Sequence, residues 1–224
     1  YNGCNKVTKL VTKSGNSDIS SYEYSYYLDG SDACKVRNES GIIETTSYEY
    51  DGLKRLTEEY ETVIPIVSEN AAFTDTRFGT SDALLEQLEE LTGHEVLYDI
   101  PSVEPLGPKG MIDVLVIAPC TGNTLAKLAA GIADTAVTMA AKAHLRNGRP
   151  VVVAVSTNDG LGGAARNIGE LLSRKHYYFV PFRQDDPVGK PTSLVAEMGL
   201  VTATVAAALR GEQIQPLLLG PAGE

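Results

Sequence analysis

The spacing of apolar residues changes along the chain, and each change marks an element. Val114 to Ala118 is a run of five apolar residues that ends at Pro119. With no polar alternation, it predicts a strand buried on both faces, as in a parallel sheet covered by helices. Pro150–Val155 predicts a second such strand and Tyr177–Phe182 a third. Val63–Ser68 reads as a short buried strand interrupted by Pro65, and Glu95–Leu97 as another short strand. Helical spacing appears between them. Leu84, Leu85, Leu88 and Leu91 share one face of Ser81–Leu91, which Gly93 closes. Leu125–Ala133, Thr135–Asn147, Ala164–Arg174 and Ser193–Leu209 also read as helices, the last with Leu194, Met198, Val201 and Val205 on one face. Residues 69–79, 100–110, 156–163 and 183–191 read as loops. Strands alternating with helices imply an α/β fold on a mostly parallel sheet.

The first 60 residues follow another rule, with aromatic and polar residues alternating. Ser21-Tyr22-Glu23-Tyr24 recurs as Ser47-Tyr48-Glu49-Tyr50, and Tyr1–Thr8 lines up with Tyr50–Thr57. Eight of the 11 tyrosines precede residue 61. Asn2-Gly3, Asp29-Gly30 and Asp51-Gly52 mark tight turns, so this segment predicts short β-hairpins in a repeat. Tyr-Asp-Gly-Leu-Lys-Arg-Leu-Thr at 50–57 and Tyr-Tyr-Leu-Asp-Gly at 26–30 resemble the YD, or RHS, repeat family. That family builds β-cocoons on secreted or surface proteins. Barely two units stand here, fewer than the roughly three a repeat stack needs, so hairpins without a cocoon are expected.

Composition narrows the function classes. With 19 Lys+Arg against 29 Asp+Glu, the net charge of −10 argues against general binding to nucleic acid or an anionic membrane. No apolar run approaches the roughly 20 residues that span a bilayer. The opening Tyr1-Asn2-Gly3-Cys4 has no Met and no secretion-signal pattern, which reads as a cytoplasmic chain or a fragment of one. Cys4, Cys34 and Cys120 are odd in number and far apart, and His94, His144 and His176 lack ligand spacing. Reduced thiols and no metal site are expected.

Ligands of such sheets bind beyond the carboxyl ends of the strands. Loops 119–124, 156–163 and 183–190 occupy that edge, and their polar residues should converge. Pro119, Thr121, Gly122, Asn123 and Thr124 stand where a strand turns into a helix, with free N–H groups and the positive end of the helix dipole. Thr and Asn are also ordinary helix caps. Ser156, Thr157 and Asn158 open the second loop. Gly160-Leu161-Gly162-Gly163-Ala164-Ala165 fits the dinucleotide pattern G-x-G-x-x-A, but Ser156–Asp159 separate it from its strand, against the geometry that pattern needs.

Residues 63–218 resemble the family of the B-type subunit of dipicolinate synthase, within the wider homo-oligomeric flavin-containing Cys decarboxylases. The matching runs are Pro-Ile-Val-Ser at 65–68, Thr-Asp-Thr-Arg-Phe-Gly at 74–79, and Glu-Pro-Leu-Gly-Pro-Lys at 104–109. They continue with Val-Ile-Ala-Pro-Cys-Thr-Gly-Asn-Thr at 116–124 and Met-Ala-Ala-Lys-Ala-His-Leu-Arg-Asn at 139–147. Val-Ser-Thr-Asn-Asp at 155–159 and Val-Pro-Phe-Arg-Gln-Asp-Asp-Pro at 180–187 complete the set. The resemblance implies a Rossmann-like, flavodoxin-type fold and an FMN site in which Pro119, Asn123 and Thr124 contact the flavin. It implies oxidation of dihydrodipicolinate to dipicolinate during sporulation, alongside the A-type subunit of dipicolinate synthase, which carries NADP. A dicarboxylate product would want cations, for which Arg77, Arg183 and Lys190 are the loop candidates. Asp159 and Asp185 are candidate bases for an aromatisation that removes two electrons and two protons.

The family opens with a buried strand and a Gly-Ser/Thr phosphate loop, where this chain carries its repeat-like segment. The expectation is a chimera: a β segment over 1–60 and an N-terminally truncated flavoprotein-like domain over 63–218. Two other readings stand beside the enzyme. One is an RHS/YD-repeat surface or toxin-related protein with an incidental C-terminal domain. The other is a non-catalytic oligomeric partner built on the small-residue helix 135–147.

Overall fold

The computed structural model describes residues 9–14, 17–26, 32–39, 42–50, 56–60, 62–76 and 79–220. The chain divides into two compact units, Tyr1–Pro65 with Asn70–Leu97, and Ile66–Glu69 with Tyr98–Glu224.

The first unit holds a five-stranded antiparallel meander: β1 (Lys9–Ser14), β2 (Ser17–Tyr26), β3 (Asp32–Glu39), β4 (Ile42–Tyr50) and β5 (Leu56–Tyr60), in sequence order. The two Ser-Tyr-Glu-Tyr copies lie in β2 and β4, the strands on either side of β3. Asn2-Gly3, Asp29-Gly30 and Asp51-Gly52 lie outside the described residues. Beyond the meander, α1 (Glu69–Phe73) forms within the stretch expected to be loop. Helix α2 (Ser81–Thr92) forms as the leucine spacing predicts. The Thr80 hydroxyl caps it by accepting the Ala83 N–H, and Gly93, at φ 69°, ends it by donating its N–H to Glu89 O. None of its residues is buried, and Leu91 is 75 % exposed. The strands expected at Val63–Ser68 and Glu95–Leu97 do not form. Leu97 N–H donates to Pro65 O at 2.9 Å, but Pro65 has no N–H with which to extend a ladder.

In the second unit, the loop expected at 100–110 begins as a helix, α3 (Ile100–Val103), and continues as a tight turn over Glu104–Leu106. The Asp99 carboxylate accepts the Ser102 N–H at 2.9 Å, and Pro101 sits in the first turn, where a missing N–H costs nothing. Then follow β6 (Leu115–Cys120), α4 (Gly122–Ala130), α5 (Ala136–Leu145), β7 (Val151–Thr157) and α6 (Ala165–Leu172). β8 (Tyr177–Phe179), β9 (Phe182–Arg183), β10 (Leu194–Ala196) and α7 (Val201–Leu209) complete the unit.

The central strand is β7. It runs parallel to β6 and β8, while its last residues pair antiparallel with β10, which in turn pairs with β9. The sheet is therefore mixed, parallel around β7 and antiparallel where β10 and β9 join it. Val151 to Val155 are all fully buried, as their unbroken apolar run predicts. β6 departs from that reading. Leu115, Ile117 and Cys120 are buried, but Val116, Ala118 and Pro119 are exposed. Among the described strands it pairs with β7 alone, so its apolar run covers one face rather than two.

The long helix expected over Ser193–Leu209 is three elements. Leu194–Ala196 is strand β10, Met198–Leu200 is a single tight turn, and only Val201–Leu209 is helical. Leu194 and Ala196 point inward and Val195 outward, a strand alternation that the helical stripe conceals. The strand expected over Tyr177–Phe182 is likewise split, with Val180 and Pro181 between β8 and β9.

Helix α5 reaches the sheet through small residues: Ala136, Ala140, Ala141 and Ala143 are buried. Thr135 and Thr138 cap it reciprocally. His144 near its end is 1 % exposed, and its Nε2–H donates to Pro150 O at 3.0 Å, on the residue that leads into β7. Burial, and then the nearby Arg149, hold the His144 pKa below the usual histidine range. The unfolded chain therefore binds a proton there that the folded chain refuses. The contribution is complete above about pH 6.5 and declines as pH falls below it toward the folded value. Urea midpoints should drop between about pH 7.5 and pH 5.5, and His144→Gln should flatten that slope. An unchanged slope in the variant would place the proton elsewhere.

Candidate functional site

β6 and β7 run parallel and end on the same edge, with Cys120 opposite Val155. Helix α4 starts two residues past β6. Thr121 caps it: its hydroxyl accepts the Thr124 N–H at 3.4 Å and lies 3.3 Å from the Thr124 hydroxyl. Leu125, fully buried, anchors the helix below. The first turn is thereby held at the edge with Asn123 exposed and Gly122 half-buried. The peptide bond Ala118–Pro119 is cis.

The loop after β7 comes up against this turn. A Cβ on Gly122 would stand 2.6 Å from Thr157 Oγ1 and 3.1 Å from Asp159 Oδ1, so only glycine admits the approach. The Thr157 hydroxyl donates to Asp159 Oδ1 at 2.6 Å, which fixes the carboxylate beside the start of α4. Asp159 O accepts the N–H groups of Gly162 and Ala164, folding the loop into a turn. Asn158 follows Thr157 directly, so Asn123 and Asn158 reach the same edge.

The third loop is tied to the second. The Thr192 hydroxyl donates to Asn158 O at 2.7 Å, and Leu161 N–H donates to Thr192 O at 2.9 Å. β10 pairs Leu194 with Thr157 and Val195 with Ser156. Gly160 is buried, and a Cβ there would meet the Leu194 side chain at 2.7 Å. Packing against Leu194 thus accounts for the first glycine of the G-x-G-x-x-A pattern.

The two described candidate cations are engaged. Arg183 pairs with Glu197 at 2.5 Å, and Lys190 with Asp185 at 3.2 Å. Asp185 also bonds to the Ser193 hydroxyl, and this bond, ahead of Lys190, holds its carboxyl below the usual range. One expected base therefore serves as partner to one expected cation. Arg77 lies outside the described residues. The Cys120 thiol is buried, and burial pushes its pKa up to about 12, so it stays protonated at neutral pH. Among the described residues, no three or more His, Cys, Asp or Glu are placed to hold a metal, and no helix is long and apolar enough to cross a membrane.

Sequence reasoning misses Thr192, Ser193 and Glu197, because all three fall in or beside the segment that reads as one helix. The available signal is the Pro187 and Pro191 bracket, which favours extended backbone before and after it.

The mixed α/β unit with polar loops gathered at its strand ends is that of a flavoprotein: the Flavoprotein family matches residues 49–167, and the chain belongs to it. Within that class it is similar to the B-type subunit of dipicolinate synthase from Bacillus subtilis, 47 % identical over 167 residues, covering 75 % of this chain and 84 % of the relative. The crystal structure of the corresponding dipicolinate synthase subunit from Bacillus halodurans superposes with a TM-score of 0.66 at 46 % identity, covering 71 % of this chain and 82 % of that one. A shorter match reaches the flavin prenyltransferase UbiX of Thermoplasma acidophilum, 36 % identical over 73 residues, or 33 % of this chain and 41 % of that one.

Proposed function

We propose that the second unit binds a flavin at the α4–β7 edge and acts in oxidising dihydrodipicolinate to dipicolinate during sporulation in the cytoplasm, its partner being the A-type subunit of dipicolinate synthase with NADP. The 47 % identity to a B-type subunit of dipicolinate synthase supports the reaction class. The observation that carries the site is the contact of Gly122 with Thr157 and Asp159, which brings two strand-end loops side by side at one edge.

The residues fit the ring of a flavin better than its phosphate. Thr121, Asn123 and Asn158 offer side-chain and backbone donors and acceptors to a heterocycle edge. The family's Gly-Ser/Thr phosphate loop, which follows its first strand, has no counterpart among these three loops. The reading includes loss of the family's first strand, and the one-sided pairing and exposed Val116 of β6 support it. A bound flavin would supply the two-electron acceptor. Asp159, oriented by Thr157 beside the start of α4, is the better placed of the two candidate bases, because Asp185 is engaged by Ser193 and Lys190. Arg183 and Lys190 would hold a dicarboxylate only by exchanging Glu197 and Asp185 for it. The meander of the first unit, on this reading, is derived from YD/RHS repeats.

Titrating the purified chain with FMN or riboflavin, followed by flavin fluorescence, tests the site. Gly122→Ala should weaken binding by about tenfold or more, because the methyl must displace Thr157 Oγ1. Equal affinity in the variant would move the site elsewhere.

A further inference from the structure

We infer that Asp159 makes this edge select an uncharged flavin over its phosphate ester; the inference rests on the flavin reading above. The carboxylate is not free to swing away. Thr157 Oγ1 donates to its Oδ1 at 2.6 Å, its own carbonyl is held by Gly162 and Ala164, and its Oδ1 lies 3.1 Å from the Cβ position of Gly122. The start of α4 would otherwise attract an anion, but a fixed negative charge already sits against it. The same group therefore repels a second anion brought to that turn.

Nothing on the adjoining loop offsets this charge. Arg183 is paired with Glu197, Lys190 with Asp185, and Asp186 accepts the Gly189 N–H at 2.8 Å, so the loop presents carboxylates matched to or exceeding its cations. The chain as a whole carries a net charge of −10. A dianionic phosphate that comes within about a Debye length, roughly 8 Å, of Asp159 at physiological salt would feel that field. A ribityl hydroxyl would not.

The decisive quantity is the ratio of the FMN dissociation constant to that of riboflavin, measured on the full chain by fluorescence titration. The expected ratio is at or above one in the unaltered protein. It should fall at least about threefold in Asp159→Asn, which keeps the side-chain shape and removes the charge. Raising salt from about 0.05 M to about 0.5 M should lower the ratio in the unaltered protein and leave it flat in the variant. A ratio below about one-tenth in the unaltered protein, or a ratio unmoved by Asp159→Asn, overturns the inference while leaving the flavin reading intact. If neither flavin binds, the flavin reading itself fails and takes the inference with it. The unaltered protein's ratio and its salt dependence decide the matter even if the variant folds poorly.

Discussion

Gly107→Ala should destabilise the second unit by about 3 kcal/mol or more, at the upper end of what overpacking costs. Gly107 has φ −70° and ψ −62°, a conformation open to any residue, so backbone freedom does not explain the glycine. Space does. A Cβ there would collide with Ala143 O and stand 2.6 Å from its carbonyl carbon and 2.8 Å from its Cβ. Two of the three are backbone atoms of α5, a helix fixed by its Thr135–Thr138 cap and by buried Ala140 and Ala141. The turn is equally pinned. Asn147 Nδ2 donates to Gly107 O, and Arg149 donates to Gly110 O and Ile112 O. Neither side can retreat without losing such bonds. The companion change Ala143→Gly removes only the Cβ contact, so the double variant should recover little. Urea unfolding of the three proteins measures this. A loss under about 1 kcal/mol for Gly107→Ala would mean the turn shifts freely.

The strength of each sequence signal explains what can be read from the chain. β7 is plain because Val151–Val155 is buried on both faces and its pattern has no competing period. Helix α2 is plain because its leucine spacing agrees with flanking Thr80 and Gly93, and α5 because a run of small and apolar residues lies between Thr135 and Gly148. The segment 193–209 misleads because Leu194, Met198, Val201 and Val205 fit a helical stripe, while the bonds that decide the matter come from β7 and β9, far away in sequence. Tertiary pairing overrides local propensity there. At β6 the apolar run does mark a strand, but its burial depends on neighbours that a local pattern does not encode. The site divides in the same way. Pro119–Thr124 and Ser156–Asp159 stand out by their position at strand ends. The pairing of Arg183 with Glu197 and of Lys190 with Asp185 is not legible, because loop charges have no period to follow.

Gln213→Ala should cost about 2–4 kcal/mol, well beyond a surface polar change, because it leaves buried backbone groups without partners. β8 pairs with β7 through Val151–Val153 on one side. On the other, the Gln213 amide meets the fully buried Phe179 twice. Oε1 accepts the Phe179 N–H at 2.7 Å, and Nε2 donates to Phe179 O at 2.7 Å. A side-chain amide thus occupies the place of a neighbouring strand's peptide, and Phe182 continues the edge through Leu217 and Leu219. Gln213→Glu separates this pairing from simple packing. Its carboxylate still accepts from Phe179 N–H but confronts Phe179 O with negative charge, which raises its folded pKa above the ordinary glutamate value near 4.3. Proton uptake then favours the folded state, so this variant should gain stability relative to Gln213→Ala as pH falls through the raised pKa. Parallel pH profiles for the two variants would show that Gln213 acts by filling space, and that the edge of β8 does not need the amide.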